Sequence, residues 1–133
     1  MLALATSLSE YPLTDDLSPR AQERSRTCGS TVDIGLALDA GGLIARLGMR
    51  VSACAVGQAS AALFAQSAKG RAPYEISQAF EQIESWLKAE GAPPDWPGFA
   101  VLESARPYSS RHEALLLSWK AACAALSKAE PSS

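Results

Sequence analysis

The feature that most restricts this chain is a pair of alternating runs interrupted by a glycine-rich reversal. From Thr31, the apolar residues Val32, Ile34, Leu36 and Leu38 alternate with Asp33, Gly35 and Ala37, the period-two pattern of a strand with one buried face. Asp39-Ala40-Gly41-Gly42 follows and offers the positive-φ positions that a tight turn needs. The second run places Leu43, Ala45, Leu47, Met49, Val51 and Ala53 on one face against Ile44, Arg46, Gly48 and Arg50 on the other. Together they predict an antiparallel β-hairpin.

Beyond the hairpin the period becomes helical. Ala55 to Ala68 is dense in small residues, with Val56, Ala59, Leu63 and Ser67 at helical spacing and Gly70 placed to end the helix. Pro73 suits the first turn of a second helix, whose stripe of Ile76, Ala79, Phe80, Ile83, Trp86 and Leu87 ends at Gly91. Three prolines make Ala92 to Gly98 a loop, and Phe99 to Ser104 reads as a further short helix. Ser110-Arg111-His112-Glu113 has the form of a capping box, which predicts a last helix running from Ser110 to about Lys128.

Ahead of the hairpin, Leu2 to Leu8 suits a short helix. The segment from Pro12 to Pro19 is a turn-rich connection, and Ala21 to Thr27 is polar and exposed. This order predicts an α+β fold: a small antiparallel β-sheet, made of the hairpin plus an optional extra strand, covered by helices. One domain spans residues 1–133, long enough to fold without disulfides or a structural metal.

A net charge of -2 and a pI near 5.4, with Lys and Arg scattered, supply no nucleic-acid surface. Arg46 and Arg50 share one strand face in the manner of ordinary solvated residues. Met1 to Leu8 is apolar but lacks the basic start of a secretory signal, and no run is long enough to span a bilayer. Three cysteines without an export signal read as reduced thiols in a cytoplasmic protein.

Cys28 precedes the first strand and Cys54 follows the second, so closing the hairpin returns both to one end of the sheet. Cys54 also stands at the start of the small-residue helix, where backbone amides and the helix dipole favour thiolate, the form that binds soft metals or attacks sulfur. The alternative is that both thiols simply fill gaps as small hydrophobes. Two thiolates are in any case too few for a four-coordinate zinc or a two-iron cluster, so other donors or a second subunit must contribute. Cys123 falls on an apolar stripe and reads as core, as Trp86, Trp96 and Trp119 do.

At these residues the sequence resembles the NifU/IscU-type iron-sulfur assembly scaffolds, in the branch with a Trp in the last helix. Thr27-Cys28-Gly29 matches the first cysteine motif. The run from Ala53 and Cys54 through Gly57, Gln58 and Ser60 to Leu63 looks like the second cysteine and the Ala/Ser-rich helix behind it. Arg111, Leu117 and Trp119 fit the pattern of an Arg, a cysteine three residues later, then Leu and Trp. Ser30 stands where the family has Asp, and Ala114 where it has its third cysteine. Ser109 to Glu113 replaces the Leu-Pro-Pro-Val-Lys loop by which one branch docks a chaperone.

The resemblance implies a non-enzymatic protein of iron-sulfur cluster assembly. Cys28 and Cys54 would hold a transient iron-sulfur cluster or zinc, or nothing at all. His112, whose imidazole can complete a two-thiolate site, is the third metal-ligand candidate; Glu113 is engaged as the capping acid. A cysteine desulfurase and other assembly proteins are the implied partners, with no nucleic acid, no membrane, and a monomer or weak homodimer. Two alternatives share the fold: a sulfur acceptor carrying a persulfide on Cys54, and an interaction module that has lost the chemistry.

Overall fold

The computed structural model describes residues 5–26 and 29–129. Three strands, β1 (Arg20–Arg24), β2 (Thr31–Leu38) and β3 (Ile44–Ser52), form an antiparallel sheet in the order β1-β2-β3. Three α-helices follow: α1 (Ala55–Ser67), α2 (Pro73–Leu87) and α3 (His112–Ala129). Short 3-10 segments occur at Ser7–Glu10, Phe99–Ala105 and Ser109–Arg111. Ala5 and Thr6 are helical, while Leu2 to Leu4 of the expected first helix lie outside the described residues.

The hairpin forms where the alternation placed it. Its turn is organised by Asp39: the carboxylate accepts the Gly41 and Leu43 N–H groups at 2.9 and 3.0 Å, and the main chain pairs with Leu43 at 2.8 Å. Gly42, at φ 82, adopts the left-handed conformation that glycine reaches without a Cβ penalty.

Two sequence expectations need correction here. The stretch 21–27, read as polar and exposed, supplies most of β1, which pairs from Arg20↔Gly35 to Arg24↔Thr31. This strand is the optional third one made real: half-buried Ala21 and Glu23 alternate with exposed Arg20, Gln22 and Arg24, and Ala21 is its one apolar residue. The second correction concerns β3. The pairing runs Ala37↔Arg46 and then Leu38↔Ile44, so Ala45 is an extra residue. That bulge reverses the face assignment at the start of the strand, burying Ile44 and exposing Ala45.

The helices cover one face of the sheet. Val32, Ile34, Leu36, Leu47 and Met49 point into a core shared with Phe64, Ile76, Ile83 and Leu115. At its centre Trp119 lies edge-on to Phe64, Trp96 and Phe99, with centroids 5.4, 5.3 and 6.3 Å away. The packing role expected for the tryptophans is therefore met.

The reverse face of the sheet is covered by the segment from Pro12 to Leu17. Gly35 and Gly48 are paired across β2 and β3, and their missing side chains leave a trough for this strap. A Cβ on Gly48 would collide with the Pro12 carbonyl and lie 2.7 Å from Leu17 Cδ1. The strap is clasped by an exposed ion pair between Asp16 and Arg46 at 2.6 Å. Hydrogen bonding from the Thr14 hydroxyl, then from Arg46, holds the Asp16 carboxyl at about 2, below the usual carboxylate range. Gly48→Val should lower stability by about 1–3 kcal/mol through overpacking. Urea denaturation measures this, and a wild-type midpoint would show that the strap yields freely.

Candidate functional site

The hairpin register sets the geometry of the thiol end. Thr31, the first residue of β2, pairs with Ser52, the last of β3, and also with Arg24, the last of β1. Ser25, Ser30 and Cys54 therefore lie just beyond the same end of the sheet. Cys28 lies outside the described residues. Its flanks are fixed: Ser25 N–H donates to Ser30 O at 2.8 Å, and Ser30 N–H to Ser25 Oγ at 3.1 Å. Both serines are buried.

Cys54 is the N-cap residue of α1, with extended backbone at φ -67 and ψ 173. Its carbonyl accepts the Gln58 N–H at 2.9 Å, the first bond of the helix, while its thiol makes no capping hydrogen bond. Gln58 also steadies the approach, donating from Nε2 to Ala53 O at 2.9 Å. The thiol is half-buried and free.

The first turn of α3 packs at this point. A Cβ placed on Gly57 would lie 2.7 Å from the Ala53 Cβ and 3.4 Å from the Ala114 Cβ. The chain preceding Cys54, the first turn of α1 and the buried Ala114 thus meet, and glycine at 57 permits the approach. Position 114, where the resemblance places a third cysteine, is beside the Cys54 end of α1.

His112 and Glu113 flank Ala114 differently from expectation. The helix proper opens at His112, two residues later than the sequence indicated. His112 Nε2 is 2.6 Å from the Arg106 carbonyl, so the ring donates from Nε2 and only Nδ1 is left to offer a lone pair. Glu113, assigned to a capping box, reaches across the molecule, where its Oε2 accepts the Arg26 backbone N–H at 2.7 Å. Arg26 and Glu113 also line a groove of about 260 Å³ floored by Phe80 and Leu116. Among the described residues, no three His, Cys, Asp or Glu side chains gather into a metal-ligating group.

Cys123 stands apart from this end. It is half-buried on α3, 3.9 Å from the Ser77 hydroxyl of α2, and burial pushes its thiol pKa up. That is the environment of an inert packing thiol. No helix among the described residues is long and apolar enough to cross a membrane.

The sequence alone did not expose the Glu113–Arg26 contact, which joins residues 87 positions apart. No local pattern marks it, because a glutamate in a first helical turn has a sufficient local explanation.

A three-stranded sheet covered on one face by helices, with a cysteine where β3 passes into α1, defines a class of scaffold fold. The chain has the NifU/IscU-type fold. It is similar to the N-terminal part of a nitrogen-fixing NifU-like protein from Brucella abortus, with a TM-score of 0.87, 27% identity, and coverage of 96% of this chain and 89% of that one. It is also similar to a candidate iron-sulfur cluster assembly scaffold protein for the SUF system from Fervidobacterium islandicum AW-1, with a TM-score of 0.79, 19% identity, and coverage of 92% and 93%. No protein-family model matches the sequence, nor does any curated protein.

Proposed function

We propose that this protein acts in iron-sulfur cluster assembly as a non-enzymatic scaffold of a single domain, receiving iron and sulfur as cargo on the Cys28 and Cys54 thiolates. The observation that carries this reading is the convergence at one sheet end: Cys54 caps α1, Ala114 packs against Gly57, and β2 begins opposite the end of β3. Similarity over 96% of the chain to a NifU-like domain supports it.

Because Ala114 supplies no donor, two thiolates form an open site. Its remaining positions go to Nδ1 of His112, a small thiol, or a second copy of the chain. Such a site takes a cluster or zinc loosely and releases it readily. A cysteine desulfurase is the sulfur source that fits, and the cytoplasm is the compartment that keeps the thiols reduced.

Anaerobic reconstitution with ferrous iron and sulfide should give the wild type iron-sulfide absorbance that Cys54→Ser loses. Equal absorbance from both would remove Cys54 from the mechanism.

A second reading is supported by the half-exposed Cys54 at an open helix start beside the buried Ala114. In it the Cys54 thiolate attacks the outer sulfur of a desulfurase persulfide. The donor's S–S bond breaks, its thiolate leaves, and Cys54 carries the new persulfide. Mass spectrometry after incubation with desulfurase and cysteine then finds one added sulfur on Cys54 with no metal present. An unmodified Cys54 excludes it.

A further inference from the structure

We propose that the outer edge of β1 and the groove at its end receive an extended acidic segment of a partner protein, which adds to the sheet as a fourth strand. The inference goes beyond the scaffold reading and uses no thiol.

The two edges of the sheet are not alike. β3 is covered on its outward side: Met49 N–H donates to Tyr11 O at 2.8 Å, and Pro12 pairs with Met49 as a parallel bridge. Among the described residues β1 has no strand beyond it. Its register fixes which main-chain groups are turned outward. Leu36 N–H donates to Pro19 O and Ser25 N–H to Ser30 O, so the odd-numbered residues from 19 to 25 bond β2. The N–H and C=O groups of Arg20, Gln22 and Arg24 therefore face away from β2, and on that side Lys128 Nζ donates to Arg20 O at 2.8 Å.

Folding also gathers charge along this edge. Arg20 and Arg24 on the strand, Arg26 beyond it, and Lys120 and Lys128 on α3 are all exposed, and they line three hollows beside β1. Arg20 donates to the Leu17 and Thr14 carbonyls, neutral groups that leave its charge in place. Five of the 12 Lys and Arg residues thus lie at one edge of a protein whose net charge is -2. Charges on an edge strand keep copies of a protein from pairing. Full antiparallel overlap of β1 with a second β1 would set Arg20 against Arg24 twice, which disfavours a second copy, whereas carboxylates opposite the same arginines are attractive.

The groove at the Arg24 end supplies what repulsion between copies does not require. It is about 260 Å³, floored by half-buried Phe80 and Leu116 and rimmed by Arg24, Arg26 and Lys120 against Glu84 and Glu113. One Glu113 oxygen already accepts the Arg26 N–H. An apolar side chain of the added strand fits this floor while neighbouring carboxylates meet the cationic rim. Main-chain bonds then give affinity, and the groove gives specificity.

The probe is a fluorescein-labelled eight-residue peptide that alternates Glu with Val and ends in Phe, added to the full chain at low salt. It should bind about tenfold or more tighter than its Lys-for-Glu counterpart and weaken as salt rises. At saturation, amide exchange should slow at Gln22 and Arg24 and change little at Ala21 and Glu23, which already bond β2. Arg24→Glu should lower affinity about tenfold or more. Lys69→Glu makes the same charge change beside Gly70, whose N–H bonds Ile44 at the start of β3, and should stay near wild type. Wild-type affinity in Arg24→Glu, or unchanged exchange at Gln22 and Arg24, would overturn the proposal. So would equal binding of a single-stranded oligothymidylate, the mark of a general anion surface, or a peptide-free dimer in which the Gln22 and Arg24 amides are already protected.

Discussion

Ala114→Cys should raise the zinc affinity of the chain above that of the wild type. The side chain at 114 is buried where the chain preceding Cys54 and the first turn of α1 converge, so a thiol there joins the Cys54 end rather than founding a new site. Structural zinc sites with four ligands gain about 10–16 kcal/mol, or about 3 kcal/mol per ligand, and a third thiolate is therefore worth roughly 100-fold in zinc affinity. Competition titration against a chromophoric chelator at constant pH measures the gain. Affinity equal to wild type would mean that position 114 does not face the thiols, and the convergence would then be only a packing contact. The gain should shrink as pH falls, because a thiol must lose its proton to bind.

Trp119→Ala should be the most damaging single truncation of the core. Trp119 is fully buried and meets Phe64, Trp96 and Phe99 edge-on. Trp96 is itself tied to α1 by a 2.8 Å bond from its Nε1 to Leu63 O. Removing a buried Trp costs about 3–5 kcal/mol, or about 10–20 °C in Tm for a domain of this size. Among the described residues the buried Trp119 Nε1 has no hydrogen-bond partner, so the loss is one of packing. Trp119→Phe, which removes that orphan donor and keeps a ring, should cost distinctly less. Thermal unfolding followed by circular dichroism compares the two, and equal losses would mean that Nε1 contributes a bond after all.

Much of the fold was legible because its signals are local. The glycine reversal, the alternation on either side of it and the stripe of α2 each depend on residues a few positions apart, and each element formed within a few residues of expectation. β1 was not legible for a reason that is equally physical. An edge strand can be held by main-chain pairing to one neighbour, so its inward positions, Ala21 and Glu23, form no apolar stripe. The bulge at Ala45 was hidden too, since one inserted residue changes which face is buried while leaving the hydrophobic count unaltered.

The site divides along the same line. Cys54 at the start of a small-residue helix is a local fact, visible as a cysteine ahead of an alanine-rich run. The sequence by itself determined the hairpin, the helix that Cys54 caps and the absence of a thiol at position 114, because those follow from short-range periodicity and residue identity. Only the tertiary structure decided that Ala114 packs beside Gly57, that Glu113 bonds the Arg26 main chain, and that Pro12 to Leu17 fills the glycine trough. Each of these contacts joins segments far apart in the chain, and its partner is selected by how the helices pack on the sheet rather than by any neighbouring residue.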